Sequence, residues 1–150
     1  MESHSFGTFD PALAADFVRE FEGTFLTAYK CPAGVWTIGV GHTAGVKEGD
    51  VITGEEAERL LLEDLAATKS ALAKYVNVPL TQGQFVALMS LAFNLGVHRM
   101  IKQCPKLMRA LNAYRFDDCA AEFADIVFVN GQKTPGLVRR RAAEIEKFYS

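Results

Sequence analysis

The chain lacks most of the features that assign a protein quickly. Its three cysteines, Cys31, Cys104 and Cys119, form no CxxC pair. Neither a disulfide framework nor a zinc site is therefore expected, and the thiols are expected to be reduced, as in a cytoplasm. No apolar run approaches the ~20 residues of a membrane span. The opening stretch, residues 1–7, has neither the basic nor the apolar region of a secretory signal, so no membrane anchor is expected. There is no Gly-rich phosphate loop, no metal-ligand cluster and no Ser-His-Asp pattern, so neither a cofactor nor a metal is expected. With a net charge of −2 the chain is no polycation, which argues against a nucleic-acid partner.

What is present reads as one soluble domain. A length of 150 residues with 49% hydrophobic and 23% charged residues is enough to bury a sizeable core. No internal repeat, low-complexity tract or Pro- or Ser-rich linker divides it. Charge is uneven: residues 1–98 hold 6 Lys and Arg against 12 Asp and Glu, and residues 99–150 hold 10 against 6. The basic surplus is either a set of solvated helix faces or a wall facing an anionic substrate.

Asp10-Pro11 is a helix start, with Leu13, Phe17, Val18 and Phe21 as an apolar stripe and Gly23 as the stop. Residues 25–52 are rich in glycine and β-branched residues and read as a hairpin or meander. Thr53-Gly54-Glu55-Glu56 and Thr81-Gln82-Gly83-Gln84 are capping boxes. The first opens a helix running to about Lys74. The second opens a helix apolar nearly all round, and so central, that Gly96 closes. Residues 98–105 read as a loop. Shorter helices are expected over 105–114 and 117–129, then a turn at Asn130-Gly131. A last helix begins at Thr134-Pro135, with Val138, Ala142, Ile145 and Tyr149 on one face. The fold class is α+β: a small N-terminal β lobe (about 24–53) and a larger helical lobe (10–23 and 54–150), with a cleft between them in a single domain of residues 1–150.

One spacing carries the chemistry. Glu22 is followed by eight residues, Cys31, five residues and Thr37, which opens Thr37-Ile38-Gly39-Val40-Gly41-His42-Thr43. Glu22 falls at the C-terminal end of the first helix, where partial negative charge disfavours a carboxylate, which suits a group that must donate a proton.

This stretch resembles the catalytic region of the phage-type lysozymes, glycoside hydrolase family 24. Three further stretches agree in order: Leu80 to Gly96, Leu107 to Asn112, and Pro135 to Glu144. The resemblance covers roughly residues 12–149. It implies a lysozyme-like fold and hydrolysis of the β-1,4 bond between N-acetylmuramic acid and N-acetylglucosamine in peptidoglycan, with Glu22 as general acid, Cys31 as second catalytic residue and Thr37 as positioner of the attacking water. Asn94, Thr134 and Arg140 are expected to bind substrate, though Asn94 could instead cap its helix. One of Arg139, Arg140 and Arg141 is expected to pair with Glu22, and His42 to be a structural partner near the hinge. Cys31 stands where many members have Asp. A thiol with the ordinary pKa of about 8.5 is mostly neutral at pH 7, so the role survives most simply if Cys31 is partly ionised or attacks directly. The resemblance also implies a monomer made in a host cytoplasm that reaches the periplasmic wall through a holin-type pore. The alternatives are a lytic transglycosylase, which needs only the acid, and a glycan-binding module without turnover.

Overall fold

The computed structural model describes residues 2–150. Two 3-10 turns, Phe6–Thr8 and Pro11–Ala14, lead into α1 (Ala15–Glu22). Strands β1 (Phe25–Lys30) and β2 (Trp36–Gly39) pair antiparallel. Helices α2 (Gly54–Leu72), α3 (Gln82–Leu95), α4 (Val97–Gln103), α5 (Pro105–Asn112) and α6 (Phe116–Phe123) follow. A two-residue hairpin, β3 (Phe128–Val129) with β4 (Gln132–Lys133), precedes α7 (Pro135–Phe148). The class is α+β, a helical body carrying a small β region.

Both capping boxes form. Thr53 accepts from the Glu56 amide at 3.1 Å while the Glu56 carboxylate accepts from the Thr53 amide at 3.1 Å, and Thr81 and Gln84 do the same for α3. Satisfying the orphan amides of the first turn is worth about 1 kcal/mol per cap. Every residue of α3 from Gly83 to Ala92 is buried, so α3 is the axis around which α1, α2, α4 and α7 pack. Gly83 is there for space. A Cβ on it would lie 2.3 Å from the Lys147 carbonyl oxygen, so the end of α7 crosses α3 only over a glycine.

The β region follows from its turns. The Gly34 amide donates to the Cys31 carbonyl at 2.8 Å, closing a tight turn between β1 and β2. A third pass of chain ties back to β1, with Ala28 donating to the Asp50 carbonyl and Ile52 to the Leu26 carbonyl, both at 2.9 Å.

Four elements differ from the sequence expectation. Residues 98–105 are not a loop, because most of them form α4, ended by Cys104 before Pro105 starts α5. The helix expected over 117–129 stops at Phe123. Its tail, Val127-Phe128-Val129, is β-branched and aromatic and pairs across the Asn130-Gly131 turn, where both residues take positive φ. In the first helix the buried residues are Ala14, Ala15 and Val18, while Leu13 is exposed; small side chains let this segment approach the body. In α7 the inward residues are Arg140, Arg141, Glu144 and Phe148, while Val138 and Tyr149 are exposed.

Candidate active site

Glu22 is the last residue of α1, which Gly23 terminates by donating to the Arg19 carbonyl at 2.9 Å. Its side chain is 20% exposed and forms an ion pair with Arg140, whose own side chain is 5% exposed. The other face of the carboxyl group rests on the backbone after β2. A Cβ added to Gly41, which has φ +69°, would stand 2.9 Å from Glu22 Oε1 and 3.2 Å from the Phe93 ring. The carboxyl is therefore clamped between a guanidinium and a glycine. Gly41→Ala is expected to cost about 1–3 kcal/mol, from left-handed backbone strain and displacement of the carboxylate, and to lower wall-clearing activity more than stability explains. Thermal unfolding and turbidity clearing, measured together, check this.

Arg140 is held from behind. Its Nη2 donates to the Ser90 carbonyl at 3.2 Å, and its Nε lies 3.5 Å from Glu144 Oε2. Ser90 in turn donates to Glu144 Oε2. Glu144, fully buried, also pairs with Arg141, which donates to the Ile126 carbonyl at 2.9 Å and to the Asn94 amide oxygen. Burial pushes the Arg141 guanidinium down, and Glu144 opposes that shift. Among the described residues no buried polar side-chain atom lacks a partner. Buried charges survive only under that condition.

Cys31 lies in the turn after β1. Burial pushes its thiol up, but the amides of Val35, Ala33 and Gly34 and the Thr37 hydroxyl outweigh this, and the thiol lies below its usual range. Thr37, buried on β2, pairs across the hairpin with Tyr29. Its hydroxyl donates to the Val35 carbonyl at 2.9 Å. Tyr29 lies close enough to both candidate groups to feel their charge. Burial raises its phenol, and the charges of Glu22 and Cys31 raise it further.

Asn94 is half-buried at the end of α3, its amide oxygen turned to Arg141. Thr134, before α7, donates from its hydroxyl to the Gln132 carbonyl at 3.3 Å and from its amide to the Val127 carbonyl at 2.8 Å. Glu22 and Arg140 are thus together, as are Cys31 and Thr37, while Asn94 joins the Glu22 network through Arg141 and Glu144. Arg140 has no face open to a glycan. His42 Nδ1 lies 2.8 Å from Asp64 Oδ2 on α2, and its Nε2 lies 3.0 Å from the Ala44 carbonyl, so the ring pins the β region to the helical body. Ser90 and Tyr29 carried no functional signal in the sequence, and Gly41 stood inside the Thr37–Thr43 stretch with no role of its own. Glu144 did, as the acid four residues after Arg140, the spacing of one helix face.

A fold of this kind with a clamped glutamate between a β hairpin and a helical body defines a lysozyme-type glycoside hydrolase. Residues 19–144 match the phage lysozyme family, and the chain belongs to that family. It is 42% identical over 137 residues to the endolysin of Acyrthosiphon pisum secondary endosymbiont phage 1, covering 89% of this chain and 92% of that protein. It is 37% identical to the endolysin of Salmonella phage P22, covering 89% and 92%. Among solved structures, the muramidase domain of SpmX from Asticaccaulis excentricus superposes with a TM-score of 0.81 at 35% identity, covering 91% of this chain and 95% of that one.

Proposed function

We propose that the chain is an endolysin of the muramidase type, hydrolysing the β-1,4 bond between N-acetylmuramic acid and N-acetylglucosamine in peptidoglycan. The observation that carries this reading is the clamped Glu22: one side fixed by Arg140, the other by Gly41, with part of the side chain left to solvent. A general acid works when its orientation is fixed against the leaving oxygen. Glu22 gives its proton to the glycosidic oxygen as the C1–O bond breaks. A water donates one hydrogen bond to Thr37 Oγ1, which keeps free lone pairs while its proton is committed elsewhere. That water adds to C1 and passes its proton to the Cys31 thiolate. Solvent then returns a proton to Glu22 and takes one from Cys31. Arg140 acts as a positioning residue for Glu22, and Asn94 and Thr134 supply polar contacts to the sugars. No described helix is long and apolar enough to cross a membrane. The expected setting is a monomer made in a host cytoplasm that reaches the periplasmic wall through a holin-type pore.

The test is clearing of purified Gram-negative sacculi by the wild type, Cys31→Ser and Cys31→Asp, with reducing ends and anhydro-muramic ends both quantified. Reducing ends are expected from the wild type. Anhydro ends instead would make the enzyme a lytic transglycosylase, and no release would leave only a binding module. Cys31→Ser is expected to lose about 10²-fold, the usual worth of a proton-accepting group. Activity that needs the thiolate is present above the thiol pKa and lost as pH falls through it. Aspartate, with a reference pKa of about 3.9, is expected to restore activity and move that acid limb to lower pH. An unmoved limb would remove Cys31 from the chemistry.

A further inference from the structure

The chemistry proposed above makes no use of the aromatic surface beside the acid. β1 leads from the end of Glu22's helix to the Cys31 turn, and it carries Phe25 and Tyr29. Phe25 is 46% exposed and Tyr29 is half-buried. Two residues four apart in a regular strand stand about 13 Å from each other. Here the two ring centroids are 4.6 Å apart, with the rings inclined at 51°. β1 takes four steps from Phe25 to Tyr29 while β2 takes two from Gly39 to Thr37, so the pairing is irregular between them. Such an irregularity bends a strand and re-aims its side chains, and in this hairpin it brings the two rings together.

The pair is continuous with the candidate active site. A Cβ added to Gly23 would stand 3.0 Å from Phe25 Cε2, so the ring lies over the residue that follows Glu22. Tyr29 pairs across the hairpin with Thr37 and feels the charges of Glu22 and Cys31. Phe25 thus has one side packed and another open to solvent at the edge of the site. What suits that open side is restricted by charge. The face of an aromatic ring is itself partly negative, and residues 1–98 hold 12 Asp and Glu against 6 Lys and Arg. A phosphorylated ligand meets repulsion there. A hexosamine ring does not: its C–H hydrogens form an apolar face for stacking, while its rim keeps hydroxyl and amide groups for hydrogen bonds. The other large exposed apolar side chains of the β region, Leu26, Val35 and Val51, offer no ring.

We propose that Phe25 and Tyr29 form a stacking platform for one pyranose ring of the glycan strand, a specificity subsite that holds the strand beside Glu22. The identity of the strand rests on the muramidase reading. Phe25 supplies the ring face, and Tyr29 adds a hydroxyl that bonds the sugar rim. The platform moves no proton. It binds ground state and transition state alike, so its loss raises KM and leaves kcat in place.

The experiment compares the wild type with Phe25→Ala, Phe25→Leu and Phe25→Trp on peptide-free glycan strands from amidase-treated sacculi. Titration calorimetry gives the affinity, and reducing-end release gives kcat and KM. Thermal unfolding verifies that each variant folds. Phe25→Ala is expected to bind about tenfold more weakly, as when a half-exposed phenylalanine no longer buries its free side. KM is expected to rise by a similar factor, with kcat within about twofold of wild type. Phe25→Leu keeps apolar bulk without a ring and is expected to recover little of the loss, whereas Phe25→Trp is expected to bind at least as tightly as the wild type. Wild-type affinity in Phe25→Ala overturns the platform. Full recovery by leucine overturns it too, because packing alone would then account for the effect. A fall in kcat at unchanged KM also overturns it and makes Phe25 a support for Glu22. Strand binding that depends on Phe25 without any release of reducing ends sinks the muramidase reading and leaves the platform standing.

Discussion

Replacing Glu144 with alanine is expected to lower the unfolding free energy by about 3–5 kcal/mol, the cost of removing one member of a buried charge network. Glu144 is fully buried, accepts from Ser90 and Arg141, and forms an ion pair with Arg140 as well. Without it, two guanidiniums that are 4% and 1% exposed face each other across a cavity with a single carboxylate, Glu22, at its edge. For a chain of this length a loss of that size lowers Tm by roughly 10 °C or more. Glu144→Gln keeps the shape and one acceptor and is expected to lose about half as much. Urea denaturation of the wild type and both variants decides it. A loss below 1 kcal/mol in Glu144→Ala would mean that water enters and solvates the arginines, and the buried network would then not be a structural keystone.

Glu22→Gln is the complementary case. The amide keeps the shape, still accepts from Arg140, and sits where the side chain is one-fifth exposed. Stability is expected to stay within about 1 kcal/mol of wild type, as for most partly exposed substitutions. Release of reducing ends is expected to fall by about 10²–10⁴-fold, the contribution of a general acid, while the variant still sediments with sacculi. Retained turnover would transfer the acid role elsewhere. Lost binding together with lost turnover would mean that Glu22 positions substrate instead of protonating it. The two variants separate an acid that reacts from the acid that holds its partner in place.

The sequence was most legible where the physics is local. Thr53-x-x-Glu56 and Thr81-x-x-Gln84 start helices through contacts three residues apart, and the all-round apolar run after Thr81 could only be a buried axis. The Glu22, Cys31, Thr37 spacing pointed to a candidate site through the family it resembles, and the chain places those residues at a helix end and in a tight hairpin. The inward face of α7 was not legible in that way. Hydrophobic periodicity pointed to Val138, Ala142, Ile145 and Tyr149, whereas the buried stripe is Arg140, Arg141, Glu144 and Phe148. Charges turn inward only when partners wait on another element, and those partners, Ser90 and Asn94, are about fifty residues away in the chain. The short hairpin at Asn130-Gly131 was hidden for a simpler reason. Its strands are two residues long, too short to show an alternating pattern.

The clamp on Glu22 is assembled from distant parts of the chain, because 118 positions separate the acid from Arg140. A ribosome that has finished α6 has already made Glu22, Cys31 and Thr37, yet none of the cation that orients the acid. Nor can α3 bury its Gly83 face before the end of α7 arrives to cover it. Chains without α7 therefore carry the three candidate residues without the guanidinium that orients Glu22. On the muramidase reading, the proposed acid is oriented only once α7 docks, because Arg140 sits on that helix.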